Sequence, residues 1–142
     1  LISEAVAFRL TSYVEAEREA QIQDVKMLRI LLRPGVCWTA IDHGHSFNPT
    51  LGRNGQPIGL IEMQKRKARG VRAGIPDLLF WADHKPYAIE RKVEGGVLSD
   101  AQREFQEELK QAGVLVSTAW SQAELCATLK AWGLLRPYSE AA

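Results

Sequence analysis

Apolar residues recur near helical period at Ile22, Val25, Leu28, Ile30, Leu31 and Leu32, which predicts a long first helix. Ser12 and Glu15 have capping-box spacing and mark its expected start. Residues 3–11, with Val6, Phe8 and Leu10, read as a separate helical or arm-like segment. Arg33-Pro34-Gly35 stops the helix, because proline can neither donate to the helical ladder nor fit its interior. Residues 36–41 read as a strand. Residues 46–60 concentrate Asn48-Pro49, Gly52, Asn54-Gly55 and Pro57, a long irregular loop of the kind that often carries function, with a short helix expected over 58–64. Leu78-Leu79-Phe80-Trp81 is apolar without alternation, as in a central strand covered on both faces. The next strand alternates: Tyr87 and Ile89 face one side, Ala88, Glu90 and Lys92 the other. A hairpin through Ala82-Asp83-His84-Lys85-Pro86 would pair the two.

Beyond Glu94-Gly95-Gly96, Ser99-Asp100-Ala101-Gln102 is a second capping box. It opens a helix through about Ala112, with Phe105, Leu109 and Ala112 facing the core and Gly113 as its stop. Residues 114–120 form a further strand, reached through that helix, so it should pair in parallel. Ser121 caps a last helix through about Trp132, where Cys126 reads as a buried small apolar residue. The pattern is α/β: helix, three strands, helix, strand, helix, in a mixed sheet flanked by helices.

Length and composition add bounds. A chain of 142 residues with 46% apolar content fits one domain with a single core. We divide it into an arm or helix over 1–16, a main domain over 17–133 and a C-terminal tail over 134–142, read as frayed from Arg136 on. Two cysteines make no disulfide framework. No apolar run approaches membrane-spanning length, and the first residues lack the pattern of a signal peptide. An intracellular, cytoplasmic setting is expected. The net charge of +1 carries no information about partners, so charge distribution must.

The chemistry concentrates at Asp77, Glu90 and Lys92. If the two strands pair, Asp77 approaches the face that bears Glu90 and Lys92. Two clustered carboxylates repel unless a cation lies between them. Oxygen ligands of this kind suit Mg²⁺ or Mn²⁺, and the lysine can position a water. Immediately upstream runs the one dense basic segment, with Lys65, Arg66, Lys67, Arg69 and Arg72 as candidate phosphate contacts. Gly70 and Gly74 permit unusual backbone angles or close approach there. Glu19 and Gln23 share a face of the first helix, one turn apart. Asp42-His43-Gly44-His45 beside Cys37 has no four-ligand zinc spacing, and a loop lining the substrate groove is its better functional reading. Gln102 at the third helical position reciprocates the cap at Ser99.

Pro76-Asp77, twelve intervening residues, then Glu90-Arg91-Lys92 resembles the PD-(D/E)xK nuclease superfamily. Gly70-Val71-Arg72-Ala73-Gly74-Ile75-Pro76-Asp77-Leu78 is similar to the corresponding block of its VRR-NUC branch, as are Gly95 to Ser99 with Gln102, and Glu19 with Gln23. The resemblance covers roughly residues 17 to 130 and implies a single-domain restriction-endonuclease-like core (α-β-β-β-α-β). It implies a divalent-metal-dependent, structure-selective DNA endonuclease, bacterial or phage-encoded, acting on junctions, flaps or forks, with a homodimer as the form suited to a symmetric junction. On that resemblance Asp77, Glu90 and the backbone carbonyl of Arg91 are metal ligands and Lys92 orients the attacking water. Glu19 is a further acid at the metal, with Glu15 and Glu17 as rivals. Gln102 reaches the metal-bound water or the phosphate, and Gln23 and Ser99 contact nucleic acid. A non-catalytic binding module on the same fold, and a sequence-specific restriction-type nuclease, are the competing readings.

Overall fold

The computed structural model describes residues 4–43 and 50–137. His45, the start of the 46–60 loop and the tail beyond residue 137 lie outside the described residues. Eight elements follow in order: α1 (Glu4–Leu31), β1 (Cys37–Ala40), α2 (Ile58–Ala68), β2 (Leu78–Ala82), β3 (Lys85–Arg91), α3 (Asp100–Gln111), β4 (Leu115–Ala119) and α4 (Gln122–Ala131). The strands form one mixed sheet in the order β1-β2-β3-β4. The first two pairings are antiparallel and β3 pairs with β4 in parallel, as a crossover through α3 requires. No described helix is long and apolar enough to cross a membrane.

One sheet face carries Leu78, Phe80, Tyr87, Ile89 and Ala119, and packs with Leu28 of α1 and Leu125 and Leu129 of α4 into the main core. The opposite face is covered by α3 over β3 and β4, where buried Gln106 donates from Nε2 to Thr118 Oγ1 at 3.2 Å. Towards β1 that face opens, and Cys37, Thr39 and Trp81 are exposed.

Several expectations are corrected. Residues Tyr87, Ala88, Ile89 and Glu90 are all buried, so β3 is the strand covered on both faces; β2 alternates, with Trp81 44% exposed. Being apolar did not bury Trp81, because it projects beyond the reach of α3. On α3, Ala112 is exposed and Gln106 takes the inner position. α1 runs without a break through Ser12, since the tertiary support of a long helix overrides a local start signal. Ile22 and Ile30 are exposed on it. α2 continues past residue 64 to Ala68 and takes Lys65, Arg66 and Lys67 into its last turn, where cations complement the helix C-terminus. Cys126 is half-buried. The chain after α4 is not frayed as far as Arg136: Leu134 is fully buried, Leu135 bridges to Leu32, and the Arg136 N–H donates to the Leu31 carbonyl at 2.8 Å.

The β2–β3 hairpin has a two-residue turn with both Asp83 and His84 left-handed, at φ 50° and 62°. That geometry matches the twist of the strands, and Asp and His are among the side chains that tolerate it. Arg33 reaches Asp83 at 2.5 Å and holds the turn against the end of α1.

Candidate active site

The hairpin register sets the site. Leu78 lies opposite Ile89, so the next pair outward is Asp77 opposite Glu90. Both side chains therefore leave the sheet on the same face at the end of the ladder. The Asp77 carbonyl accepts from the Ile41 N–H at 2.8 Å, extending the β1 pairing by one residue. Asp77 Oδ2 accepts the Arg91 N–H at 2.8 Å, and Asp77 Oδ1 lies 2.9 Å from His43 Nε2. Just upstream, Gly74 lets the chain pass close against the start of α3. Its φ is +88°, and a Cβ there would overlap the backbone carbonyl of Ala101 at the start of α3.

Glu90 is 2% exposed. Its Oε1 accepts from Gln102 Nε2 at 2.6 Å and lies 3.5 Å from Lys92 Nζ, while Oε2 is buried without a hydrogen-bond partner. Burial, and then the charge of Asp77, push the Glu90 carboxyl up to about 7, against the opposing pull of Lys92 and His43. The His43 imidazole is raised as well, first by its hydrogen bond to Asp77. Gln102 fills its expected cap role and adds a contact to Glu90 that the sequence did not show. Its Oε1 accepts the Ser99 N–H at 2.9 Å, closing the capping box of α3, and its Nε2 donates to Glu90. Ser99 uses its hydroxyl to accept the Gln102 N–H at 3.2 Å.

A cleft of about 230 Å³ opens beside this cluster, between α1 and the ends of β2 and β3. Asp77, His43 and Lys92 line it from the sheet side, and Glu17, Gln21 and Asp24 from α1. Residues 17 and 24 differ by seven positions, about 700° of helix, and so share a face. Glu19 is about 140° away from Asp24 on the same count. It does not line the cleft, and its Oε1 accepts from Gln23 Nε2 at 2.8 Å on the outer surface. Glu15 is exposed and also stands away from the cleft. Of the three acids considered on α1, Glu17 is the one that lines the cleft, beside Asp24, which is committed to Arg91.

The Arg91 guanidinium lies on the other face of β3, inside the fold. Its Nε donates to Asp24 Oδ2 at 2.6 Å, and its Nη1 donates to the Lys92 carbonyl. Asp24 is 1% exposed and also accepts from Gln122 Nε2 at 3.3 Å. This buried pair ties α1 and α4 to the strand end that presents Glu90 and Lys92. Within the basic segment the side chains diverge. Arg72 is committed to a bidentate pair with Glu108, at 2.9 and 2.8 Å, and stands 4.5 Å over the Phe105 ring. Arg66 donates to the His43 carbonyl at 3.1 Å. Lys65, Lys67 and Arg69 are exposed and have no ion pair among the described residues.

A sequence profile of the VRR-NUC domain matches residues 15–123. The chain belongs to the VRR-NUC family. A solved structure titled "VRR_NUC domain protein" shares the fold, with a TM-score of 0.55 and 22% identity over 83% of this chain and 88% of its own. No curated protein matches the chain. The VRR-NUC domain has a nuclease-type fold, and the α/β core expected from the sequence is the one observed. Asp24 escaped the sequence, and His43 was foreseen only within a loop lining the groove, without its contact to Asp77. Asp24 carried a signal, being an acid one turn before Leu28 on an apolar face, where a buried ion needs a partner. The His43 contact depends on the β1–β2 register.

Proposed function

We propose that this VRR-NUC domain is a divalent-metal-dependent endonuclease that hydrolyses DNA phosphodiester bonds. The observation that carries the reading is Glu90 Oε2, a buried carboxylate oxygen without a partner, opposite Asp77 in a carboxyl pair whose Glu90 is pushed up to about 7. A native protein rarely leaves such an atom unpaired without a ligand for it. The donor set fits a hard cation, Mg²⁺ or Mn²⁺, held by Asp77, Glu90 and the Arg91 carbonyl. Among the described residues no three His, Cys, Asp or Glu side chains cluster as a cage. Water and phosphate oxygens would therefore complete the shell, as is usual for Mg²⁺. Bound there, the ion would offset the charge that develops on the phosphate and acidify a water.

The protein's own groups do the rest. Lys92, nearly buried beside Glu90, orients the attacking water and adds positive charge at the phosphate. Attack at phosphorus breaks one P–O ester bond, with no covalent link to the enzyme. Gln102 holds Glu90 from α3, and His43 holds Asp77 from the β1 side. Glu17 replaces Glu19 as the α1 acid proposed to act at the metal or on its water. Lys65, Lys67 and Arg69 are the basic side chains available to phosphates.

Branched or flapped DNA is the proposed substrate, and a two-fold dimer would suit a four-way junction. The test is cleavage of labelled junction, 5′-flap, fork and linear duplex DNA with Mg²⁺, Mn²⁺ or chelator, beside Asp77→Ala and Lys92→Ala. Cutting that needs the metal and is lost in both variants is expected. Metal-independent binding without cutting, in every substrate, would replace the enzyme by a binding module.

A further inference from the structure

Gly96, in the loop between β3 and α3, is a point of convergence that the hydrolytic groups do not explain. The Trp120 indole N–H donates to the Gly96 carbonyl at 2.7 Å. The Tyr13 hydroxyl from α1 lies so near that a Cβ at position 96 would overlap it. That same Cβ would stand 3.4 Å from Lys92 Cβ, so the loop backs directly on the catalytic lysine. Trp120 is fixed at its backbone too, its N–H donating to Glu124 Oε2 at 2.7 Å. Despite these anchors, Trp120 is 40% and Tyr13 37% exposed, with Val97 75% and Val14 54% exposed on the neighbouring loop and helix. Val14 and Val93 line the active-site cleft, which makes the apolar surface continuous with it.

Aromatic side chains that are held in place yet partly exposed, Trp120 by its two hydrogen bonds and Tyr13 by close packing on Gly96, are preorganised for a flat apolar ligand. The ligand class follows from the neighbour. A surface that begins at the lysine proposed to face the scissile phosphate is placed for the nucleoside attached to that phosphate. Inside a duplex a base already stacks on both faces, so only an unpaired or terminal base can use such a surface without unstacking.

We propose that Trp120, hydrogen-bonded to Gly96 beside Lys92, and Tyr13, packed close to the same glycine, form a stacking platform for an unpaired nucleobase flanking the scissile phosphate. The proposal rests on the nuclease reading of the same site and supplies a physical reason for selecting flaps and branches over plain duplex. Trp120 and Tyr13 act as specificity-determining contacts and take no part in the bond breaking.

The test uses metal-free binding, measured by fluorescence anisotropy in chelator, so that it does not depend on cleavage. A labelled flap DNA is compared with copies that carry an abasic residue at each unpaired position next to the branch. One abasic position should weaken wild-type binding about tenfold, in the range of a single base–aromatic stack. Trp120→Leu should lose a similar factor on intact DNA and nothing further on that abasic copy, while Trp120→Phe keeps most of the affinity. Tyr13→Leu carries the same cycle if Trp120→Leu fails to fold. Equal losses on intact and abasic DNA, no loss at all, or no wild-type binding to any of the DNAs would overturn the platform. Base-dependent binding with no cleavage in Mg²⁺ or Mn²⁺ would overturn the nuclease and leave the platform standing.

Discussion

Glu90 shows how a single buried carboxyl can oppose folding once it is charged. Its carboxyl is raised from 4.5 to about 7, so the folded chain holds that proton more tightly than the unfolded one. The resulting stability is fully present below the unfolded value and is lost as pH rises through about 7. The metal-free protein should therefore melt lower at pH 8 than at pH 5.5 through this group. Glu90→Gln, which keeps the shape and removes the charge, should melt several degrees higher than wild type at pH 8 while losing the stabilisation that added Mn²⁺ gives. Thermal unfolding with and without Mn²⁺ checks both halves; a Glu90→Gln variant that melts lower at pH 8 would sink the argument. The Gln102 contact shows an economy of placement, since one amide closes a helix cap and holds the carboxylate that the helix covers.

Elements act here mainly through phase and spacing. The face of α1 decides which acid can serve the cleft: Glu17→Gln should lower cleavage at least about tenfold with little change in melting, and Glu19→Gln should change neither, as expected for an exposed side chain. Equal activity losses in the two would show that the α1 phase assigned here does not govern the chemistry. Asp24→Ala leaves the Arg91 guanidinium buried without its partner and should cost about 3–5 kcal/mol in denaturant unfolding. Gly74→Ala combines a φ of +88° with overlap at the Ala101 carbonyl, so at least about 2 kcal/mol should be lost. A Gly70→Ala control shares the positive φ but has open space around it, and should lose less.

Across the whole molecule, charge is unevenly spent. The net charge is +1, yet the exposed cations Lys65, Lys67 and Arg69, without an ion pair among the described residues, gather at the end of α2, upstream of Asp77. Replacing all three by alanine should weaken binding to every DNA by a similar factor and flatten the dependence of log affinity on log salt. The slope should fall by up to about 2–3, since each phosphate contact contributes about 0.7–0.9. Adding Arg72→Ala should change the salt slope little, because Arg72 is already neutralised by Glu108. Binding isotherms at several salt concentrations measure this directly, and an unchanged slope in the triple variant would place the phosphate track elsewhere.

The sequence by itself determined the order and type of the elements, the hairpin, the Ser99 cap and the Asp77, Glu90 and Lys92 cluster. Those features are local: periodicity, turn chemistry and strand alternation act within a few residues. Tertiary structure decided what depends on packing between distant segments. It buried both faces of β3 and left Trp81 on β2 in water, because burial follows what covers a strand more than how apolar it is. It put Glu17, and not Glu19, on the lining of the cleft through the rotation of α1, and paired Asp24 with Arg91, 67 residues away. It set Arg72 on Glu108 and left Lys65, Lys67 and Arg69 without an ion pair among the described residues, a division that a run of like charges in a sequence does not reveal. It also brought Tyr13, Gly96 and Trp120 to one point beside Lys92, since contacts among three segments so far apart in the chain exist only once the core has formed.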